Sequence, residues 1–518
     1  MKKLICTIML ALAVTSGVSA QLVTEREPVA HLRGCRAGTP NPHFKPRRAL
    51  SLQGGENPYV GDRRQLVVLV SFQDLDFAED HEGALQKWEK IFNAENYAEG
   101  RFVGSIHDYF MAQSYGQFNL KFDLLFVELP DGRSKYCSTY SDDENSQYMV
   151  DDIVDVLQTQ GIDWSLYDWN GDSFVDQLLI IYAGQGMNAG GGPNTIWPHQ
   201  WWMSQHENQE TEDPDDYRSY RTVVQGDKEY YVDCYCCLQE YVAGNPPRTP
   251  FGTICHEYTH CFGFPDLYYN TGTKVLGYWD LMDSGNYNGE DYRPCNYSAH
   301  ERMLMGWLTP VELTSSTIIT DMPALVDEPV AYLIRNDGME NEYYIVENRQ
   351  QRGWDEDLPG SGIVVSHIDY DKDLWISITE SVNSSSEKHY QIIPANNRLS
   401  VSASSGWAYP YVMKDIHGND SIANDSLTNT SRPAATLYNP NVDGNLLMSK
   451  PITCMAVDAN GLASFLFMYD SISSVREVPF YQEWGHDTCT PIYDLQGRRL
   501  SAPAKGPYIQ GKKLRIKK

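Results

Sequence analysis

His256-Glu257-Tyr258-Thr259-His260 are the residues of this sequence whose types and spacing most directly suggest chemistry. On a helix, residues four apart share a face, so the two imidazoles can hold one cation between them. Neutral imidazole suits Zn²⁺ at about 2.0–2.1 Å, and a catalytic zinc keeps one position open for water. Such an ion lowers the pKa of water towards ~7 and polarises a carbonyl. Glu257 projects beside that position, where it can take a proton from the water and pass it to a leaving amine. The five residues alone are a weak motif, and a buried structural histidine pair is the plain alternative. The residues just downstream strengthen the metal reading. Gly263 stands where the helix should stop, because glycine tolerates the left-handed backbone needed there. Phe264-Pro265 then stiffens the turn, and Asp266 arrives where a third ligand could reach the metal from outside the helix. Two neutral histidines and one carboxylate would offset half the charge of a divalent ion.

The elements that must position these residues are readable in outline. A chain of 518 residues with 42% hydrophobic content can bury more than one core, so two or three domains are expected. Leu66-Val67-Val68-Leu69-Val70 and Leu178-Leu179-Ile180-Ile181-Tyr182 are continuous apolar runs, as strands buried on both faces require. Helical spacing appears at Leu85–Phe92 and Ile106–Ala112. This alternation gives an α/β (α+β) catalytic domain over residues 61–310. Beyond Gly306-Trp307-Leu308-Thr309-Pro310 helical signals fade, and a β-rich, sandwich-like domain over 311–470 is expected, followed by a tail module at 471–518.

At the other end, Met1-Lys2-Lys3, an apolar run from Leu4 to Val14 and a small-residue close at Ala20 fit a cleaved signal peptide over residues 1–20. Residues 21–60 read as a propeptide, with Arg47-Arg48 and Arg63-Arg64 as processing points. A formal net charge of -28 argues against a nucleic-acid partner, which needs a clustered basic surface. Eleven cysteines are present; losing Cys6 with the signal leaves an even ten, whose connectivity sequence does not give.

The stretch from His256 through Gly263 to Asp266 resembles the HExxHxxGxxD pattern of metzincin-like peptidases, specifically the immune inhibitor A family. Further blocks in family order widen the resemblance to roughly residues 60–370: Ser105 to Phe110, Asp168 to Asp176, Ile196 to Trp201, Trp279-Asp280-Leu281-Met282, Glu342 to Gln350, and Leu358 to Gly362. The resemblance implies a zincin-type fold and a secreted zinc endopeptidase acting on protein or peptide substrates. It places Met282 in a methionine turn beneath the metal, as a soft apolar floor and not a ligand. It favours Asp266 as third ligand, with Glu301, in the helical stretch Ser298 to Met305, as the alternative that glutamate-type zincins would use. Tyr287, shortly after Met282, is a candidate to steady the oxyanion.

Asp168, Asn170, Asp172 and Asp176 crowd oxygen ligands into a short loop, a pattern that suits Ca²⁺; an Asp/Asn/Gly turn is the alternative. The loop departs from an EF-hand, because its glycine comes too early and the terminal glutamate is missing. Cys35, flanked by Arg33 and Arg36, could hold the enzyme latent like the cysteine switch of some metzincins, or enter a disulfide. The tail from Ile492 to Lys518 resembles sorting segments of exported proteins from Gram-negative anaerobes, which implies engagement of export machinery and release from, or display on, the outer surface. Two other functions fit less well: a surface binding protein on a degenerate protease scaffold, and a zinc hydrolase of cell-wall amides. An intact Glu257 argues against the first.

Overall fold

The computed structural model describes residues 57–137, 145–192, 194–206, 218–268, 275–377, 381–383, 388–414 and 420–469, and the backbone of four short strands between 492 and 517. The signal segment, the propeptide as far as residue 56, and Cys35 within it lie outside the described residues. The chain divides into two compact units, Met1–Tyr469 and Asp470–Lys518.

The first unit opens on β1 (Gly61–Ser71), whose apolar run is buried on both faces, and continues through β2 (Phe118–Glu128), β3 (Phe174–Val175) and β4 (Leu178–Gln185). After these come β5 (His199–Trp202), β6 (Arg221–Gln225), β7 (Lys228–Val232) and β8 (Cys234–Tyr241). The main sheet runs β2-β1-β4-β8-β5. Its first four strands are parallel and only the edge strand β5 is antiparallel, pairing His199 with Cys237. Parallel pairing needs crossover segments. Two of them carry helices: α1 (His81–Asn93) and α2 (Ile106–Gln113) between β1 and β2, and α3 (Ser146–Leu157) between β2 and β4. The two helices predicted from apolar spacing, α1 and α2, both start at caps: Asp80 accepts from Gly83 N at 2.8 Å, and Ser105 and Asp108 form a reciprocal capping box. The histidine helix α4 (Phe251–Cys261) packs on β8, every residue of it buried. The fold is therefore a mixed α/β architecture, and a short helix α5 (Ala299–Leu304) comes next.

From residue 311 the regular elements are mostly strands. It runs through β9 (Val311–Glu312), β10 (Thr317–Met322), β11 (Tyr332–Asn336), β12 (Met339–Arg349) and β13 (Gly362–Asp369). Then come β14 (Tyr390–Ile392), β15 (Tyr411–Lys414), β16 (Asp420–Asn424), β17 (Ile452–Val457) and β18 (Ala463–Phe467). A five-stranded sheet runs β14-β13-β12-β11-β9 and a three-stranded one β10-β18-β17. Alternation along β12 divides its side chains between two cores. Tyr343 and Ile345 join the large core that contains Ile181, Phe262 and Met282, while Tyr344 and Val346 join a second core with Val365, Met455 and Phe465. The boundary expected at residue 310 thus runs through a shared core inside one compact unit. His367 and Glu342, both buried, bond each other across β13 and β12 at 2.8 Å, a structural pairing within that sheet.

Cys236, Cys255 and Cys295 are buried thiols. Among the described residues no helix is long and apolar enough to cross a membrane. In the second unit, β19 (Ile492–Tyr493), β20 (Arg499–Leu500), β21 (Gly506–Gln510) and β22 (Lys513–Lys517) form an antiparallel sheet in the order β20-β19-β21-β22.

Candidate active site

Helix α4 begins after Pro250, which offers no side chain to cap it. The missing acceptor comes from far along the chain: Asp291 Oδ1 accepts from Thr253 N at 2.8 Å and from its hydroxyl at 3.2 Å. The first turn lies so close to the segment after Met282 that a Cβ on Gly252 would sit 2.0 Å from the Asn286 carbonyl oxygen. Only glycine allows that approach.

One and two turns on, His256 and His260 face the same way, with ring centroids 4.8 Å apart and planes at 86°. Each ring is fixed through Nδ1. His256 donates to the Leu281 carbonyl at 2.8 Å and His260 to the Phe264 carbonyl at 2.7 Å. A carbonyl can only accept, so both Nδ1 atoms carry the hydrogen and both Nε2 atoms present lone pairs. Gly263 takes the left-handed backbone at φ 103°, which ends the helix and folds the chain back. Asp266 therefore returns to the histidine face, with Oδ1 3.1 Å from His256 Nε2 and 3.3 Å from His260 Nε2. Tyr268 donates to its other oxygen at 2.9 Å and sets the carboxylate's orientation.

This donor set fits a divalent cation. Its two imidazole lone pairs and one carboxylate oxygen face one another at 3.1–3.3 Å, where His256 is 4% and His260 6% exposed, and acceptors so placed repel one another. A cation instead accepts all three lone pairs, and ligands of this type and number match a catalytic zinc with an open position. The three residues offer ligand atoms within 4.8 Å of one another.

Beneath them runs the segment Trp279 to Met282. Met282 is fully buried; its N–H donates to Asp280 Oδ1 at 2.9 Å and its carbonyl accepts from Leu267 N at 2.9 Å. The same turn thus carries both the acceptor for His256 and a tie to the segment leaving Asp266. Glu257 is buried and next to the histidines on the helix; its charge and that of Asp266 both raise the hydroxyl pKa of Tyr287, after desolvation and Asp291. Tyr287 is 37% exposed.

Residues 60–306 match the family described as immune inhibitor A peptidase M6, catalytic domain. That segment belongs to the immune inhibitor A peptidase family. Immune inhibitor A of Bacillus thuringiensis subsp. alesti is 24% identical over 307 residues, covering 50% of this chain and 43% of the relative. The pre-pro-metalloprotease PrtV of Vibrio cholerae serotype O1 strain M66-2 is 29% identical over 140 residues, 24% of this chain and 14% of the relative. The chain spans less than half the length of these relatives.

The structure separates the remaining candidates. Glu301 stays out of the histidine group because its carboxylate is committed elsewhere. It caps α5, accepting from Ser298 N at 2.6 Å and from the Ser298 hydroxyl at 3.0 Å. Burial pushes its pKa up to about 7, against the pull of those bonds.

The loop proposed for calcium is held by its own amides. Asp168 accepts from Gly171, Asp172 and Ser173 N at 2.9–3.0 Å, Asn170 from Asp172 N at 3.0 Å, and Asp172 from Phe174 N at 2.8 Å. Asp176 accepts from Trp169 N at 2.6 Å, and its pKa is pushed up to about 7, first by burial and then by Asp168 and Asp172. Among the described residues the acidic and histidine side chains form one metal-sized group, and it is not this loop. These bonds are those of an Asx-turn network.

Sequence reasoning missed Asp291, Tyr268 and the two carbonyls that orient the histidines. Tyr268 carries a faint local signal, a hydroxyl two residues after a candidate ligand; Asp291 and Leu281 carry none.

Proposed function

We propose that the chain is an exported zinc-dependent endopeptidase made as a zymogen, with His256, His260 and Asp266 as zinc ligands and Glu257 as general base and acid. The observation that supports this most is the convergence of two histidine Nε2 atoms on one carboxylate oxygen within 3.1–3.3 Å, beside a glutamate. Zinc bound there would supply Lewis acidity, polarising the scissile carbonyl and acidifying a water. Glu257 takes a proton from the attacking water and returns it to the leaving amine nitrogen. Tyr268 keeps the Asp266 carboxylate turned towards the histidines. Tyr287 presents a hydroxyl donor to the developing oxyanion.

In this reading residues 1–20 are a signal peptide and 21–60 a propeptide whose Cys35 maintains latency. Residues 61–310 carry the chemistry, 311–470 support it, and 471–518 direct release from or display on the outer surface of a Gram-negative bacterium. The relatives named immune inhibitor A and pre-pro-metalloprotease agree with a substrate that is protein or peptide.

The test is cleavage of an unfolded protein by the processed enzyme, with and without a zinc chelator, next to Glu257→Ala. Cleavage by wild type, abolished by either change, is expected. Cleavage that survives Glu257→Ala would sink the mechanism.

A further inference from the structure

The acceptor that orients His256 is a backbone carbonyl, Leu281 O, so no substitution at position 281 can tune it. Its position depends on what holds the Trp279–Met282 turn, and much of that support comes from beyond the segment matched to the peptidase family. Arg349, at the end of β12, reaches under the turn. Its Nη1 donates to the Trp279 carbonyl at 3.3 Å and its Nη2 to the Asn296 carbonyl at 3.2 Å.

The guanidinium is 1% exposed and is itself fixed as a fork. Nε and Nη2 donate to the two Asp355 oxygens, each at 2.8 Å, and Nη1 to Glu347 at 3.3 Å. The same two acids also grip the backbone around the turn: Asp355 accepts from Asn296 N at 2.9 Å and Glu347 from Ala299 N at 2.6 Å. Asp280, in the turn, and Glu301 also lie in this buried neighbourhood, and the Arg349 charge stabilises both as anions. Burying a cation among carboxyl groups costs desolvation and is poor evidence of stability by itself; fixing geometry is its best-attested use.

We propose that Arg349 is a positioning residue of the metal centre, setting the Leu281 carbonyl under His256 through its bonds to Trp279 and Asn296. The region after residue 310 then completes the metal site and is no mere appendage to it. This rests on the zinc reading of His256, His260 and Asp266. Lysine would keep the charge but lose the planar fork that spans Asp355 and the two carbonyls at once.

The experiment measures zinc affinity of the full chain by competition with a chromophoric chelator, at a temperature where circular dichroism shows each variant folded. Arg349→Lys is expected to weaken zinc binding by roughly tenfold, the lower end of what loss of an outer-shell partner costs. Asp355→Asn, a milder disturbance of the fork, is expected to weaken it by a smaller factor and serves if Arg349→Lys does not fold. Met455→Ala, in the second core, is expected to lower the melting temperature without changing zinc affinity, which a merely structural role for Arg349 would imitate. Affinities of Arg349→Lys and Asp355→Asn within twofold of wild type, alongside a His256→Ala variant that has lost zinc, would overturn the inference alone. If His256→Ala binds zinc like wild type, the zinc reading falls as well.

Discussion

Asp291 offers a sharp test of how the histidine helix is held, because its carboxyl is both a cap and a liability. It is 5% exposed, and its pKa is pushed up to about 7, by burial first, against the pull of the bonds from Thr253 and the charge of Arg248. An unfolded aspartate titrates near ~3.9, so between about pH 4 and 7 the folded protein keeps a proton that the unfolded chain has lost. Stability present below the unfolded pKa is therefore lost as pH rises through the folded one. Roughly three pH units at about 1.4 kcal/mol each put the loss at ~4 kcal/mol.

Asparagine keeps the oxygen that accepts from Thr253 and never ionises. In urea unfolding of the full chain across a pH series, Asp291→Asn should match wild type near pH 4. It should then become relatively more stable by about 1.4 kcal/mol per pH unit, and level off above roughly pH 7.5. Asp291→Ala removes the acceptor and leaves Thr253 N–H unmet in a buried helix start, which should cost about 1–3 kcal/mol at pH 5. Parallel pH curves for wild type and Asp291→Asn would refute the buried, neutral cap.

Three further changes probe the same scaffold. Gly252→Ala, ordinarily a gain of up to ~1 kcal/mol inside a helix, should instead destabilise by more than about 2 kcal/mol in urea unfolding, since its Cβ would meet the Asn286 carbonyl oxygen at 2.0 Å. Tyr268→Phe frees the Asp266 carboxylate from its 2.9 Å bond and should weaken zinc binding about tenfold in chelator competition, leaving the melting temperature of the metal-free protein nearly unchanged. Asp168→Ala removes an acceptor shared by three backbone amides, two of their bonds solvent-exposed, and should cost about 1 kcal/mol, by the same amount in calcium as in chelator, if the loop is an Asx-turn network.

What the sequence disclosed about this site depends on distance along the chain. His256 and His260 are one helical turn apart, and Gly263 and Asp266 complete the reversal close behind them, so local rules reach all four. The buried strands at Leu66 and Leu178 announced themselves by unbroken apolar runs. β8 did not, because Cys234-Tyr235-Cys236-Cys237 lacks the aliphatic run that marks the other two, although it forms a strand between β4 and β5. The calcium loop shows the limit of composition: closely spaced Asp, Asn and Gly serve a cation and an Asx turn equally. Glu301 was decidable, since Ser298 and Glu301 have the capping-box spacing that commits such a glutamate to its own helix. Asp291 lies 38 residues beyond the Thr253 it caps and Arg349 lies 70 beyond the Trp279 it supports, and only the folded chain brings them together.

The long-range contacts share a logic that bears on where the functional unit ends. Each histidine is oriented by a backbone carbonyl, and a carbonyl is only as well placed as the chain that carries it. Phe264 O is placed locally, by the Gly263 reversal. Leu281 O is not: its turn is tied by Asp280 within itself, by Leu267 from the segment after Asp266, and by Arg349 and the Ser404 carbonyl, which takes the Trp279 indole N–H at 3.1 Å. The last two of those supports come from after residue 310. The alternation of β12 between two cores ties the same strand to both halves of the unit. A chain cut at 310 would therefore lose the Arg349 and Ser404 supports of its His256 acceptor together with one wall of its main core, so the metal site and the β strands beyond it should unfold as one.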